Sequence, residues 1–243
     1  MRALFVLHDA ASETGLIGAA LRERGWQVDE LVVVPQERHN QPNVTRSFPD
    51  RADYDLLVPM GAPWNANDDQ HIGNWLRPEL RWLADTVADG GAVFGICFGA
   101  QIMARALSGS VHRAPAPEIG WCTIDSDELA AGPWFQWHFD RLTAPDGATV
   151  LATNQAGTQA FRIGRSLGVQ FHPEVTTACI TRWSENAGSQ HLRNLGMTVE
   201  AMIADAEQHA DAAPGRASAL VSYYLNRVFP PKAGSTGRFA DVS

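Results

Sequence analysis

The stretch GGAVFGICFGAQIMARALSG, residues 90–109, constrains the fold more than any other part of the chain. An apolar strand-like run, Ala92 to Ile96, meets Cys97 between Gly95 and Gly99, and a helical pattern follows at once. A buried strand that turns straight into a helix is the unit from which parallel sheets covered on both faces are built.

The same alternation recurs upstream. Ala3 to Leu7 reads as a buried strand, and ETGLIGAALRERG as a helix closing on Gly25. VDELVVV is strand-like, Pro35 to Ala52 reads as loop, and YDLLVPMG is another short apolar run. NWLRPELRWLADTVADGG carries Trp75, Leu76, Leu80, Leu83 and Val87 close to a 3.6 period, which predicts a helix. Together these segments predict a three-layer α/β fold, a mostly parallel central sheet flanked by helices. From about Ser110 the texture changes. GWCTIDS, ATVLATN, TQAFRIG and SLGVQFHPE are short runs separated by Gly, Asp and Asn, which predicts strands joined by tight turns. Helical patterns return after Thr176, in VEAMIADAEQHADAA and ASALVSYYLNRV. The 243 residues, 45% of them hydrophobic, suffice for one substantial core. The expected organisation is a catalytic domain over 1–190, C-terminal helices over 191–230 packed on it, and a loose tail over 231–243.

Composition excludes several classes. The net charge is -8 and no basic run exceeds two residues, so nucleic acid and anionic membrane are poor partners. The three cysteines, Cys97, Cys122 and Cys179, form no CxxC. Neither a disulfide framework nor a structural zinc site is expected, and no metal or cofactor. The apolar start stops at His8 and Asp9, too soon for a signal-peptide core. No apolar run approaches the ~18 residues of a membrane helix. The expectation is a soluble, cytoplasmic protein.

Gly-x-Cys-x-Gly between strand and helix has the shape of a nucleophile elbow, in which the reactive side chain sits on a sharp, exposed corner. Neighbours two residues away crowd that turn, so glycine suits both places. The start of the following helix adds positive potential, which favours the reactive thiolate. The same residues also fit a buried cysteine in a turn that glycines merely close. A thiol nucleophile needs a base, and the base an orienting group. In SLGVQFHPE, read as a strand, His172 and Glu174 share a face and Pro173 marks the strand's end. Carboxyl ends of strands are where open α/β sheets bind ligands. Taken alone, His172 fits a satisfied surface or core histidine as well.

Together the two stretches resemble the class I glutamine amidotransferase family, triad type, from about Leu4 to about Trp183. GICFGAQ matches the nucleophile motif and GVQFHPE the His and Glu motif, in the family's chain order. The α/β-hydrolases share the elbow but place an acid before the histidine. The resemblance implies a flavodoxin-like fold and a triad of Cys97, His172 and Glu174. PMGAPWNAND, residues 59–68, resembles the family's glycine-rich turn, which implies an oxyanion hole from the N–H groups of Gly61 and Phe98. The resemblance also implies that Gln101 holds the substrate's glutamyl group. WFQWHFDRL, residues 134–142, matches the segment bordering the glutamyl pocket, and so assigns Trp137 and His138 to substrate binding. Trp137 stands where many members have serine. PEIGWCTI resembles a segment of stand-alone members, where Glu118 either borders the pocket or makes a surface salt bridge. His8, His39, His71, His112 and His191 are scattered and receive no role.

The implied reaction is attack of Cys97 on the side-chain amide of glutamine, a γ-glutamyl thioester, ammonia release, and hydrolysis to glutamate. No GxxxxGK[ST] loop is present, and the chain after Glu174 is too short for an ATP-using synthetase domain. Any user of the ammonia is therefore expected on a separate synthetase chain. Two alternatives stand beside this reading. One is a γ-glutamyl peptidase or hydrolase that acts on γ-glutamyl amides or peptides without a partner. The other is a non-catalytic binding or regulatory module, against which the intact set of Cys97, His172 and Glu174 argues.

Overall fold

The computed structural model describes residues 1–130, 132–185 and 188–230. The sequence-predicted tail over 231–243 lies outside them. The first half alternates strand and helix: β1 (Arg2–Asp9), α1 (Gly15–Glu23), β2 (Gln27–Val34), β3 (Leu56–Pro59), α2 (Asp69–Ala88), β4 (Phe94–Ile96) and α3 (Phe98–Ala106). A long antiparallel ribbon follows, β5 (Ser110–Thr123) with β6 (Pro133–Thr143). Then come β7 (Thr149–Asn154), β8 (Gly157–Ile163) and β9 (Ser166–Val169). Four helices close the described chain: α4 (Thr177–Glu185), α5 (Gly188–Asn194), α6 (Val199–His209) and α7 (Ala213–Val228).

The central sheet runs β2-β1-β3-β4-β9-β8-β7. Its first three strands are parallel, and a parallel bridge from Leu57 to Val93 joins β3 to β4. Strand β9 pairs parallel to β4, while β8 and β7 continue antiparallel. The fold is therefore α/β with a mostly parallel sheet between helices, as expected. Strand β1 shows why its apolar run is unbroken. Ala3, Phe5 and Leu7 face a core with Ile17 and Leu21 of α1 and Leu220 and Tyr224 of α7. Leu4 and Val6 face the opposite core, with Trp75, Leu76 and Leu83 of α2 and Ile102 and Met103 of α3. Each side chain on either face thus leaves water, worth about 1.5–3 kcal/mol for a fully buried Leu, Val or Phe.

Two regions depart from the sequence reading. The loop over residues 35–52 contains two single 3-10 turns, Gln36–Arg38 and Arg51–Asp53. It is tied to α2 where Trp75 and Trp82 donate their indole N–H groups to Pro42 and Pro49 carbonyls at 2.9 and 3.0 Å. GWCTIDS does not begin a short strand but ends the 14-residue β5. Pro115 and Pro117 lack the N–H a ladder needs, and the β5–β6 register slips between Arg113 and Glu118. The prolines punctuate the sequence without ending the strand.

Candidate active site

Cys97 follows the last residue of β4 and precedes α3. Its backbone is left-handed, φ 50° and ψ −107°, a conformation that costs a non-glycine residue about 1–3 kcal/mol. Its N–H donates to Val169 O at 2.8 Å, which ties the corner to β9. Both flanking glycines are sterically required. A Cβ on Gly99 would lie 1.9 Å from Pro59 O, and one on Gly95 would meet the Gly99–Ala100 backbone at 2.8 Å. The elbow is thus closed against the end of β3 and against its own next turn. Cys97 sits at the start of α3, whose positive end favours an anionic sulfur.

His172 and Glu174 stand opposite this corner, but a different device holds them than strand alternation. Strand β9 ends at Val169, and both residues lie on the loop beyond it. The loop is fixed from two sides. His172 N–H donates to Phe135 O at 2.8 Å, and Leu16 N–H donates to Glu174 O at 2.8 Å. Gly15 lies so close that a Cβ there would reach 2.0 Å from Glu174 O. Both side chains are buried, and His172 Nδ1 lies 2.8 Å from Glu174 Oε1. The buried Nε2 makes no hydrogen bond among the described residues, and the Cys97 sulfur acts on the ring electrostatically. Burial opposes charge on the imidazole, yet the fields of Cys97 and Glu174 outweigh it and hold its pKa well above the ordinary value. Trp183 of α4 covers the ring edge-on at 5.0 Å between centroids.

Gly61 comes to the same ring, and a Cβ there would stand 3.0 Å from His172 Cε1. Among the described residues, no acceptor takes the N–H of Gly61 or of Phe98. Two unpaired donors on either side of the elbow can receive a developing negative charge. Gln101 is buried and donates to Gln170 Oε1 at 3.2 Å and to Asp140 O at 3.4 Å. Gln170 in turn points its amide at Cys97 Sγ, 3.7 Å away. Gln170 sits inside GVQFHPE, yet the sequence reading gave it nothing; the signal was an amide two residues before His172, on the end of a buried strand.

Trp137 and His138 separate in the structure. Half-buried Trp137 packs edge-on against Trp183, at 6.3 Å, beside His172. His138 is buried in a polar network: Nδ1 lies 2.9 Å from Asp140 O, and Nε2 lies 3.1 Å from Gln136 Oε1 and 3.0 Å from Glu118 Oε2. Glu118 also accepts from Asn154 and Gln159 at 2.5 and 2.9 Å. Burial raises its pKa, but His138 and these donors outweigh that and lower it. Glu118 is thus half-buried in a polar network, and its ion pair is made inward, with the buried His138.

The other two thiols are both held in the protonated form. Burial and Glu118 push Cys122 up to about 11, and burial and Glu174 raise Cys179 further. Among the described residues, no group of three His, Cys, Asp or Glu side chains is placed to hold a metal ion, and no helix is long and apolar enough to cross a membrane. The histidine passed over in the sequence was His8. It is fully buried and meets the equally buried Glu79 of α2 at 3.1 Å. The signal was legible: Glu79 occupies a core-facing position in the helical series Ile72, Trp75, Leu76, Leu83.

Residues 7–179 match the family model of the class I glutamine amidotransferases. A glutamine-hydrolyzing GMP synthase subunit from Ignicoccus hospitalis is 30% identical over 167 residues, which cover 62% of this chain and 85% of that protein. A longer glutamine-hydrolyzing GMP synthase, from Rhizobium etli, is 42% identical over 98 residues, but these cover only 34% of this chain and 19% of that protein. The crystal structure of a glutamine amidotransferase from Thermotoga maritima superposes with a TM-score of 0.78 at 26% identity, covering 94% of this chain and 97% of that one. The chain belongs to the class I glutamine amidotransferase family.

Proposed function

We propose that the protein hydrolyses the side-chain amide of glutamine through Cys97, His172 and Glu174. The observation that carries this reading is the buried His172–Glu174 pair at 2.8 Å, set against a left-handed Cys97 at the start of α3. In the first step Cys97 passes its thiol proton to His172, and Sγ attacks the carbonyl carbon, Cδ, of the side-chain amide. A C–S bond forms, the C–N bond breaks, and His172 gives its proton to the departing nitrogen, which leaves as ammonia. Water then attacks the γ-glutamyl thioester with His172 as base. A C–O bond forms, the C–S bond breaks, and the thiol is restored. Glu174 holds the imidazole in one orientation and stabilises its charged form. The N–H groups of Gly61 and Phe98 receive the oxyanion, and each such donor is typically worth about 10²–10³ in rate.

Gln101 and Trp137 supply substrate contacts in this reading, with His138 as a pocket wall. Gln101 exchanges its bond to Gln170 for one to the substrate. The ammonia goes to a separate synthetase chain. The support for a partner is the name of the Ignicoccus relative, which is one component of a synthase. The test is ammonia release by the purified chain from L-glutamine and, separately, release of the amine or amino acid from γ-glutamyl amides and dipeptides, with Cys97→Ala as control. Glutamine turnover lost in the variant supports the reading. Dipeptide cleavage well above glutamine turnover replaces it with a γ-glutamyl peptidase. A wild type whose Cys97 reacts no faster than Cys122 contradicts the triad.

A further inference from the structure

His8 and Glu79 form a fully buried pair that the proposed reaction does not use. His8 Nδ1 lies 3.3 Å from Gly61 O, and Nε2 lies 3.1 and 3.2 Å from the two carboxylate oxygens of Glu79. Both ring nitrogens therefore face oxygen. A neutral imidazole carries one N–H and would turn a lone pair on one of these acceptors. The arrangement is satisfied only when the pair holds one further proton. Either an imidazolium stands beside a carboxylate, or an Nδ1–H imidazole accepts from a protonated Glu79. In both states Nδ1 donates to Gly61 O.

The position of that bond matters. The carbonyl and N–H of a planar trans peptide point in opposite directions, so fixing one aims the other. Gly99 N–H donates to Met60 O at 3.0 Å, which fixes the plane carrying Gly61 N–H. His8 fixes the next plane, between Gly61 and Ala62. The His8 ring also meets the Phe98 ring edge-on, with centroids 4.7 Å apart, and leans on Trp75 at 5.5 Å. One buried side chain thus touches both segments whose N–H groups lack an acceptor.

We infer that His8, held by Glu79 with Nδ1–H on Gly61 O, is a positioning residue that clamps the Gly61 turn and the Phe98 end of the elbow as one oxyanion-binding unit. The inference rests on the reading of Gly61 and Phe98 as oxyanion donors. It predicts a selective defect: reactions of Cys97 at a carbonyl need the clamp, and alkylation, which forms no oxyanion, does not.

The experiment compares two probes on Cys97. With p-nitrophenyl acetate, Sγ attacks the ester carbonyl, a C–S bond forms and p-nitrophenolate leaves. With iodoacetamide, Sγ displaces iodide from a saturated carbon. Two double variants share an apolar residue in place of Glu79, so that no carboxylate is left buried alone. His8→Phe with Glu79→Met removes the donor and keeps the packing. His8→Asn with Glu79→Met keeps an amide N–H close to the place of Nδ1. The expected result is acylation slowed about tenfold or more in the Phe variant and within about threefold of wild type in the Asn variant, with alkylation within about twofold in both. Equal acylation of the Phe variant and wild type overturns the clamp, as does a parallel fall of acylation and alkylation in both variants. A wild type that is alkylated but not acylated at Cys97 overturns the oxyanion premise itself. A wild type that is acylated normally but releases no ammonia from glutamine contradicts the proposed substrate and leaves the clamp judged by the variants.

Discussion

Replacing Gly99 with alanine tests whether the elbow is closed as tightly as the geometry requires. The added Cβ would stand 1.9 Å from Pro59 O, 2.5 Å from Pro59 C and 3.1 Å from Pro59 Cβ. Non-bonded contacts under 3.0 Å do not persist, so α3 and the end of β3 must part by more than 1 Å. Pro59 lies in a buried strand paired with β1 and has nowhere to go. Overpacking of this kind costs about 1–3 kcal/mol. The shift also loosens the bond from Gly99 N–H to Met60 O, worth about 1 kcal/mol. The expected loss is about 2–4 kcal/mol in urea unfolding followed by tryptophan fluorescence. Gly73→Ala is the matched control. Gly73 is buried inside α2, and its nearest neighbours would be Arg77 guanidinium atoms at 3.5 Å and beyond. Alanine in a helix interior is favoured over glycine by about 0.8–1 kcal/mol, so this variant should gain stability. Equal stability of Gly99→Ala and wild type, or a larger loss for Gly73→Ala than for Gly99→Ala, refutes the reasoning.

Three further outcomes follow from the same structure. Iodoacetamide at pH 7 should label Cys97 by peptide mapping while sparing Cys122, whose pKa near 11 leaves about one thiolate in 10⁴, and the still more suppressed Cys179. His172 carries a raised folded-state pKa against an unfolded value near 6.5, so its proton contributes stability in full below about pH 6.5 and loses it as pH rises through the folded value. Cys97→Ala removes one of the charges that raise it, and NMR titration should then place the imidazole lower than in wild type. Leu220→Ala, on the fully buried face of α7, should cost about 2–5 kcal/mol by chemical unfolding, because α7 and α1 share one core.

Much of this architecture is legible in the chain because parallel strands buried on both faces leave unbroken apolar runs, as β1 and β4 do. The ribbon of β5 and β6 is not, because Pro115 and Pro117 imitate turn punctuation inside a strand. The elbow could be read from Gly95, Cys97 and Gly99, since few sequences need two glycines at that spacing. The reason His172 and Glu174 share a side could not. They lie past β9, and their placement depends on Phe135 O and Leu16 N–H, contacts from distant parts of the chain. Composition also conceals the His8–Glu79 pair. A histidine after an apolar run looks ordinary, and although Glu79 falls on the core-facing stripe of α2, only the burial of both at one contact makes them a pair.

The most direct test of the central claim is to trap the covalent intermediate. The purified chain is mixed with L-glutamine or a γ-glutamyl ester, quenched in acid and digested, and the Cys97 peptide is weighed by mass spectrometry. The account predicts a mass gain of one glutamyl group on Cys97, stable to acid, released by hydroxylamine and absent from Cys97→Ala. Turnover of the substrate with no adduct on Cys97, or with turnover intact in Cys97→Ala, contradicts it.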